Sequence, residues 1–166
     1  MLFADHALAR RLEDADAQGN AAFAPVHARL YPDVGATAES VAGGGAIYAG
    51  AASPLTQAIG LGMHGPVTAA ELARLEDFYW QRGAPVHVEL CPLADPSLPA
   101  LLAERGYRAE EYSNVLSRPL RPGETATAPS AGVHVRVPTP DEVELPPLDQ
   151  IVIVLDRILT RSGMRP

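Results

Sequence analysis

Thr68 to Pro119, TAAELARLEDFYWQRGAPVHVELCPLADPSLPALLAERGYRAEEYSNVLSRP, switches between helical and strand patterning four times. Thr68-Ala-Ala-Glu71 has the form of a capping box, in which a Thr oxygen takes the N3 amide while Glu71 reaches back to the cap amide. Leu72, Leu75, Phe78 and Tyr79 then recur on one helical face. Gly83 ends that helix, because the position after a last turn often needs a left-handed backbone. Val86, Val88 and Leu90 alternate with His87, Glu89 and Cys91, which predicts a strand with one buried face. Ser97 opens a second helix that tolerates Pro99 in its first turn, faces Leu98, Leu101 and Leu102 inward and stops at Gly106. Tyr112 to Arg118 is expected to return as a strand.

This order, with Glu104-Arg105-Gly106-Tyr107 closing the second helix, resembles the second half of a GNAT N-acetyltransferase domain. There a helix, a strand, a helix ending in Gly-aromatic and a last strand follow one another. With Gly106 on the family glycine, Asp95 falls where the family usually has an Asn, and Gly83 falls at the end of the preceding helix. The resemblance covers roughly residues 40 to 120. It implies an α/β (α+β) chain with a GNAT-like acyl-CoA N-acyltransferase fold, a central and mostly antiparallel sheet flanked by helices, and acetyl-CoA as cofactor if the chain is catalytic.

Gln57-Ala-Ile-Gly60-Leu-Gly62 matches the family's Gln/Arg-x-x-Gly-x-Gly/Ala loop, so Gln57, Gly60 and Gly62 are the candidate cofactor-binding residues. In the family that loop leads directly into a helix, whose free N–H groups and dipole favour the pyrophosphate. Aligned on Gly83 and Gly106, the loop is expected at Met63–Thr68, about six residues later than the match. Pro66 removes an amide donor from that window. The family's proton-donating Tyr near the last helix falls on Leu102, which cannot donate. Glu89 and His87 are the available bases, on a strand where exposed polar residues are common; His64 is expected as a turn residue.

Before this region, Asp5 is expected to cap one bent helix or two short ones reaching Leu30, with apolar positions Leu8, Leu12, Ala15, Phe23, Val26 and Leu30. The family usually places a strand before its early helices; none is visible here. Gly43-Gly44-Gly45 is expected as a bulge or tight bend within a strand from Glu39 to Ala49, since no capped helix or Lys-Ser/Thr follows to make a phosphate cradle. Gly50 to Pro54 is expected as a hairpin turn and Leu55 to Met63 as the partner strand.

The chain has 166 residues, 47% of them hydrophobic, a net charge of −7 and 13 basic residues, all arginine. One domain with a real core is possible at this length. A pI near 5.1 argues against nucleic acid as partner. Cys91 is alone, so no intramolecular disulfide or cysteine metal site forms, and His6, His27 and His134 lack metal-ligand spacing. Ser113 and Ser117 have no placed triad partner. No stretch approaches the ~20 apolar residues of a membrane span, and a cytoplasmic setting is expected. The abundance of Ala, Gly, Pro and Arg without Lys fits a high-GC bacterial codon bias.

Arg121 to Ala131 has linker composition, so the expected organisation is a 1–120 GNAT-like domain, a 121–131 linker, and a 132–166 segment. That segment is the start of a second GNAT-like unit or a strand-helix arm. Val133-His-Val-Arg-Val137 alternates like a strand, and Leu148, Ile151, Val152, Leu155, Ile158 and Leu159 share a helical face. The expected function is the non-catalytic N-terminal half of a tandem GNAT protein, partnered by a second GNAT copy or a homodimer mate. The alternatives are an active N-acetyltransferase moving an acetyl group from acetyl-CoA to an amine, and a non-enzymatic ligand- or partner-binding module.

Overall fold

The computed structural model describes residues 5–112, 114, 115, 117, 123 and 159–161. The chain divides into two units, Met1–Asn114 with Asp156–Pro166, and Val115–Leu155. Every element below belongs to the first. The expected linker apart from Gly123, the strand at 133–137 and the amphipathic face from 148 to 158 lie outside the described residues.

Helix α1 spans His6–Leu30, and Asp5 caps it by accepting the Leu8 N–H at 2.8 Å. It is one α-helix and carries Pro25 within it. The buried positions are Ala9, Ala17, Ala24 and His27, whereas the expected stripe members Val26 and Leu30 are exposed and Ala15 is too. The reason is close approach. A Cβ built on Gly60 would stand 3.6 Å from the Ala17 Cβ, and one on Gly45 3.9 Å from it. A helix seated this near to glycines presents its small residues inward and turns its larger ones aside.

Strands β1 (Thr37–Val41) and β2 (Gly44–Tyr48) form an antiparallel hairpin with Val41 opposite Gly44. The glycine run is thus the tight turn between two strands, not a bend within one. Ala42 and Gly43 have φ of 48° and 81°, the two left-handed positions of a type I′ turn, whose twist suits paired strands. Across the next connection the Thr56 hydroxyl donates to the Gly50 carbonyl at 2.6 Å and accepts the Ala49 N–H at 2.9 Å. Strand β3 is only Gln57–Ile59, shorter than the expected 55–63. Gly60 and Gly62, at φ 74° and 70°, turn the chain out of the sheet.

Helix α2 (Ala69–Trp80) buries Leu72, Leu75, Phe78 and Tyr79 as its spacing predicts, together with Glu76. Gly83 takes φ 66° at its end. Strand β4 (Val86–Val88) lies parallel to β3, with Ala58 opposite Val88 and the Glu89 N–H donating to the Ala58 carbonyl at 2.8 Å. Helix α3 (Ser97–Glu104) buries Leu98 and Leu102, and Gly106 follows at φ 77°. Strand β5 is Arg108–Ala109, directly after the buried Tyr107. The strand expected at 112–118 is not there at the described positions: 112, 114, 115 and 117 are not in a strand, and Tyr112 and Val115 are exposed. Tyr107 fixes the chain to the core, so the two residues after it reach the sheet, and the exposed Glu110-Glu111 leave it.

Leu159–Arg161 forms strand β6 rather than continuing a helix, and it pairs antiparallel with both β4 and β5. The sheet order is β1-β2-β3-β4-β6-β5, antiparallel at every pairing except β3 with β4. The main core joins Leu72, Leu75, Tyr79, Leu98 and Leu102 to Ala58, Val86 and Val88. Ala17, Ile47 and Ile59 form a smaller core under α1, so helices flank the sheet on both faces.

Candidate functional site at the ends of the parallel strands

In sheets of this kind a ligand crevice lies beyond the carboxyl ends of parallel strands. Here that end holds the β3–α2 connection from Gly60 to Val67, the start of α2, and the residues after β4. Several amides along this path are committed. The Gly62 N–H donates to the Ala42 carbonyl at 3.1 Å, and the Gly62 carbonyl accepts the Asp95 N–H at 2.8 Å. The Val67 N–H donates to Ser97 Oγ at 2.7 Å, and Pro66 has no N–H. The capping box is complete: Glu71 N–H donates to Thr68 Oγ1 at 3.2 Å, and Thr68 N–H donates to Glu71 Oε2 at 2.8 Å.

A carboxylate therefore already sits at the start of α2, where free amides and the helix dipole would otherwise draw an anion. The hydrogen bonds from Thr68, backbone first, hold the Glu71 carboxyl below its ordinary 4.5. A depressed folded value means that Glu71 supports the fold above the ordinary carboxyl pKa, and that this support is lost as pH falls through the lowered value. Thr68→Ala removes the hydroxyl but keeps the backbone N–H, the larger cause, so it is expected to return the Glu71 titration only part of the way toward its ordinary value in a carboxyl-resolved NMR titration, and to cost about 1 kcal/mol as a lost cap. An unchanged Glu71 titration would count against the hydroxyl as part of the cause.

Asp95 is organised in the same manner at the start of α3. Its Oδ1 accepts the Ser97 N–H at 2.9 Å, and the Ser97 hydrogen bonds keep its carboxyl low.

Of the three loop candidates, Gln57 lies inside β3 with no exposure, and Gly60 and Gly62 are also buried. A Cβ on Gly62 would meet Val67 Cγ2 at 3.4 Å and Ala94 Cβ at 3.5 Å. Both glycines thus answer to backbone turning and packing. These residues do not fit an acetyl-CoA pyrophosphate at the α2 start: Pro66 offers no donor, the Gly62, Val67 and Thr68 amides are engaged, and the position carries negative charge.

His87 and Glu89 flank Val88 on β4 as Gln57 and Ile59 flank Ala58 on β3, so strand alternation sets all four on the α1 side of the sheet. Glu89 is buried rather than exposed, and His87 is half-buried. Burial pushes the His87 imidazole below its ordinary 6.5, against an upward pull from the Glu110 carboxylate. Burial thus favours the neutral imidazole. Both side-chain amide atoms of Gln57 are buried without a hydrogen-bond partner among the described residues.

His64 is more than a turn residue. Its Nε2 lies 2.7 Å from Asp14 Oδ1 of α1, and its side chain sits against the β1–β2 turn, where a Gly43 Cβ would stand 3.2 Å from the His64 Cβ and 3.4 Å from its ring Cδ2. Leu102, the family's acid position, is buried in the core. The buried ion pair from Glu76 to Arg105 had no visible sign in the sequence. Among the described residues no group of three or more His, Cys, Asp or Glu could hold a metal, and no helix is long and apolar enough to cross a membrane.

Comparison with protein-family models, curated proteins and solved structures gives no match for this chain. Fold and site define its class: an α+β protein with a mixed sheet, one parallel strand pair and a self-capped crossover helix.

Proposed function

We propose that residues 1–120 are a GNAT-like unit without acetyltransfer of its own, serving as the non-catalytic half that supports a catalytic copy in a cytoplasmic protein. The helix, strand, helix closing on Gly106-Tyr107, and strand follow one another in the order that resemblance implies, within a mostly antiparallel sheet. The observation that carries the non-catalytic reading is the start of α2. There Thr68 and Glu71 satisfy each other and place a carboxylate where the cofactor's pyrophosphate would have to go. Leu102 in place of a proton donor agrees with it.

Calorimetry of the full chain with acetyl-CoA tests this directly. No saturable heat is expected up to millimolar cofactor. Micromolar binding, with acetyl transfer to any primary amine, would overturn the proposal in favour of an active enzyme.

A second reading, a binding module for a small polar ligand, is favoured by one observation. Gln57 keeps an amide without partners in the interior, beside His87 and near Glu89, and a buried amide left unmatched in this way costs about 1–3 kcal/mol.

A further inference from the structure

The outer edge of β1 and the α2 face beside it are self-complementary, and neither is absorbed by the site above. Strand β1 ends the sheet among the described residues. In a two-residue hairpin the closing pair is hydrogen-bonded, and bonded and non-bonded pairs then alternate. With Val41 opposite Gly44, Glu39 and Thr37 bond inward to β2, while Ala38 and Ser40 turn their N–H and C=O groups outward. Arg74 Nη2 donates to the Ser40 carbonyl at 2.9 Å. The edge is therefore partly occupied at Ser40 and open at Ala38.

Beside Glu39 runs a groove of about 500 Å³ whose charged lining is balanced: Glu39 and Asp77 against Arg74 and Arg82. Arg74 Nε donates to Glu39 Oε1 at 2.6 Å. That leaves one acid, Asp77, and one base, Arg82, without an ion pair among the described residues. Arg82 is held in place by its stacking 4.1 Å from the Phe78 ring centroid and by donating to the Phe78 carbonyl. Such a groove favours neither an acidic nor a basic partner; it suits one that carries the same two groups in reverse order. Arg74 marks the level of Ser40 on the strand, and Arg82, 5.9 Å from the Tyr48 ring centroid, marks that of Thr37, with which Tyr48 pairs. Helix and strand thus run in opposite directions, residues 74 to 82 covering ~12 Å against ~10 Å for residues 40 to 37. On that scale Ala38 is level with roughly position 79 of α2.

We infer that this face is the interface of a symmetric homodimer, in which β1 of two copies pair antiparallel at Ala38 and Asp77 of each copy meets Arg82 of the other. A two-fold axis at the Ala38 edge sets that residue opposite itself, so that each Ala38 N–H donates to the other's carbonyl as in any hydrogen-bonded antiparallel pair. The same axis turns the second α2 end for end about position 79. Asp77, two residues before that level, then faces Gln81-Arg82 of the second copy, and Arg82 faces Asp77 in return. Arg74 falls opposite Ala84-Pro85, so no like charges are brought together. An isologous contact requires self-complementarity of this sort, and it covers the exposed strand edge that a lone copy leaves open. Neither the open edge nor the order of charges depends on an acetyltransferase fold.

Sedimentation equilibrium of the full protein across the micromolar range is expected to show monomer and dimer in exchange. Asp77→Arg sets like charges together at both symmetry-related contacts and is expected to weaken dimerisation about 10-fold, the equivalent of two surface ion pairs. Arg82→Asp is expected to act likewise. The double variant Asp77→Arg/Arg82→Asp restores both contacts with their signs exchanged and is expected to return to within about 3-fold of the parent. Rescue by exchange is a result that neither a misfolded variant nor an interface elsewhere on the protein produces. Ala38→Pro removes the outward donor and is expected to abolish the dimer; should that variant not fold, the charge-exchange series carries the test. A protein that stays monomeric, a dimer indifferent to the single variants, or one that the double variant does not restore would overturn the inference.

Discussion

Arg105→Ala is expected to lower the unfolding free energy by about 3 kcal/mol, several times the effect of an ordinary surface truncation. Arg105 Nη1 lies 2.6 Å from Glu76 Oε2, and the Tyr107 hydroxyl donates to Glu76 Oε1 at 3.3 Å. The two ends of the ion pair differ in their access to water. The Glu76 side chain has no exposure, whereas that of Arg105 retains 29%. Removing the guanidinium leaves a carboxylate in the interior without its cation, and burying an uncompensated charge is what makes such losses large. Glu76→Gln leaves instead a cation that can turn to solvent and an amide that can still accept from Tyr107, so its cost is expected to be smaller, about 1–2 kcal/mol. Urea denaturation of the two variants and the double variant separates them. Equal costs, or less than 1 kcal/mol for Arg105→Ala, would mean that Glu76 is held by other partners.

That ion pair also marks where sequence reading stops. Thr68/Glu71, Gly83 and Gly106 act through neighbours three positions away, so their cap and stops are written locally and occur where their spacing places them. The same logic fails when a distant partner decides. Leu8, Leu12, Ala15 and Val26 predict a stripe by hydrophobicity alone, but α1 rests on Gly45 and Gly60, and the interface goes to alanines. Glu76 falls between Leu72, Leu75 and Tyr79 on the helix and looks like a surface charge until Arg105 and Tyr107, 29 and 31 residues on, are brought to it.

The site shows the same division. Pro66 and the early position of the Gln57–Gly62 match predict from sequence that the start of α2 is a poor place for a pyrophosphate, and the capping geometry adds a reason in atoms. Glu89 is exposed by alternation but buried in fact, because strand alternation assigns a face without saying what covers it. His64 next to Gly65-Pro66 has every local mark of a turn, and only the packing of α1 reveals Asp14.

Gly44→Ala is expected to destabilise the protein by about 3 kcal/mol or more, whereas the same change at Gly19 is expected to stabilise it. A Cβ on Gly44 would stand 2.2 Å from the Ile59 carbonyl oxygen, 2.6 Å from Gly60 C and 2.8 Å from Leu61 N. All three are main-chain atoms, so no rotamer change relieves the contact, and β2 or the end of β3 has to move. Overpacking a core costs typically 1–3 kcal/mol when side chains can give way, and a backbone obstruction belongs at or above the top of that range. The displaced atoms also lead into the turn whose Gly62 N–H is held by Ala42, so the damage is expected to reach the hairpin turn and the start of α2 together. At Gly19, inside α1, an added Cβ meets nothing within 4 Å, and alanine is the better helix former by about 0.5–1 kcal/mol. Melting and urea curves of the two single variants against the parent give the comparison. A Gly44→Ala protein that unfolds within 1 kcal/mol of the parent would mean that the end of β3 does not pass over Gly44 as described, and the placement of Gly60 and Gly62 would fall with it.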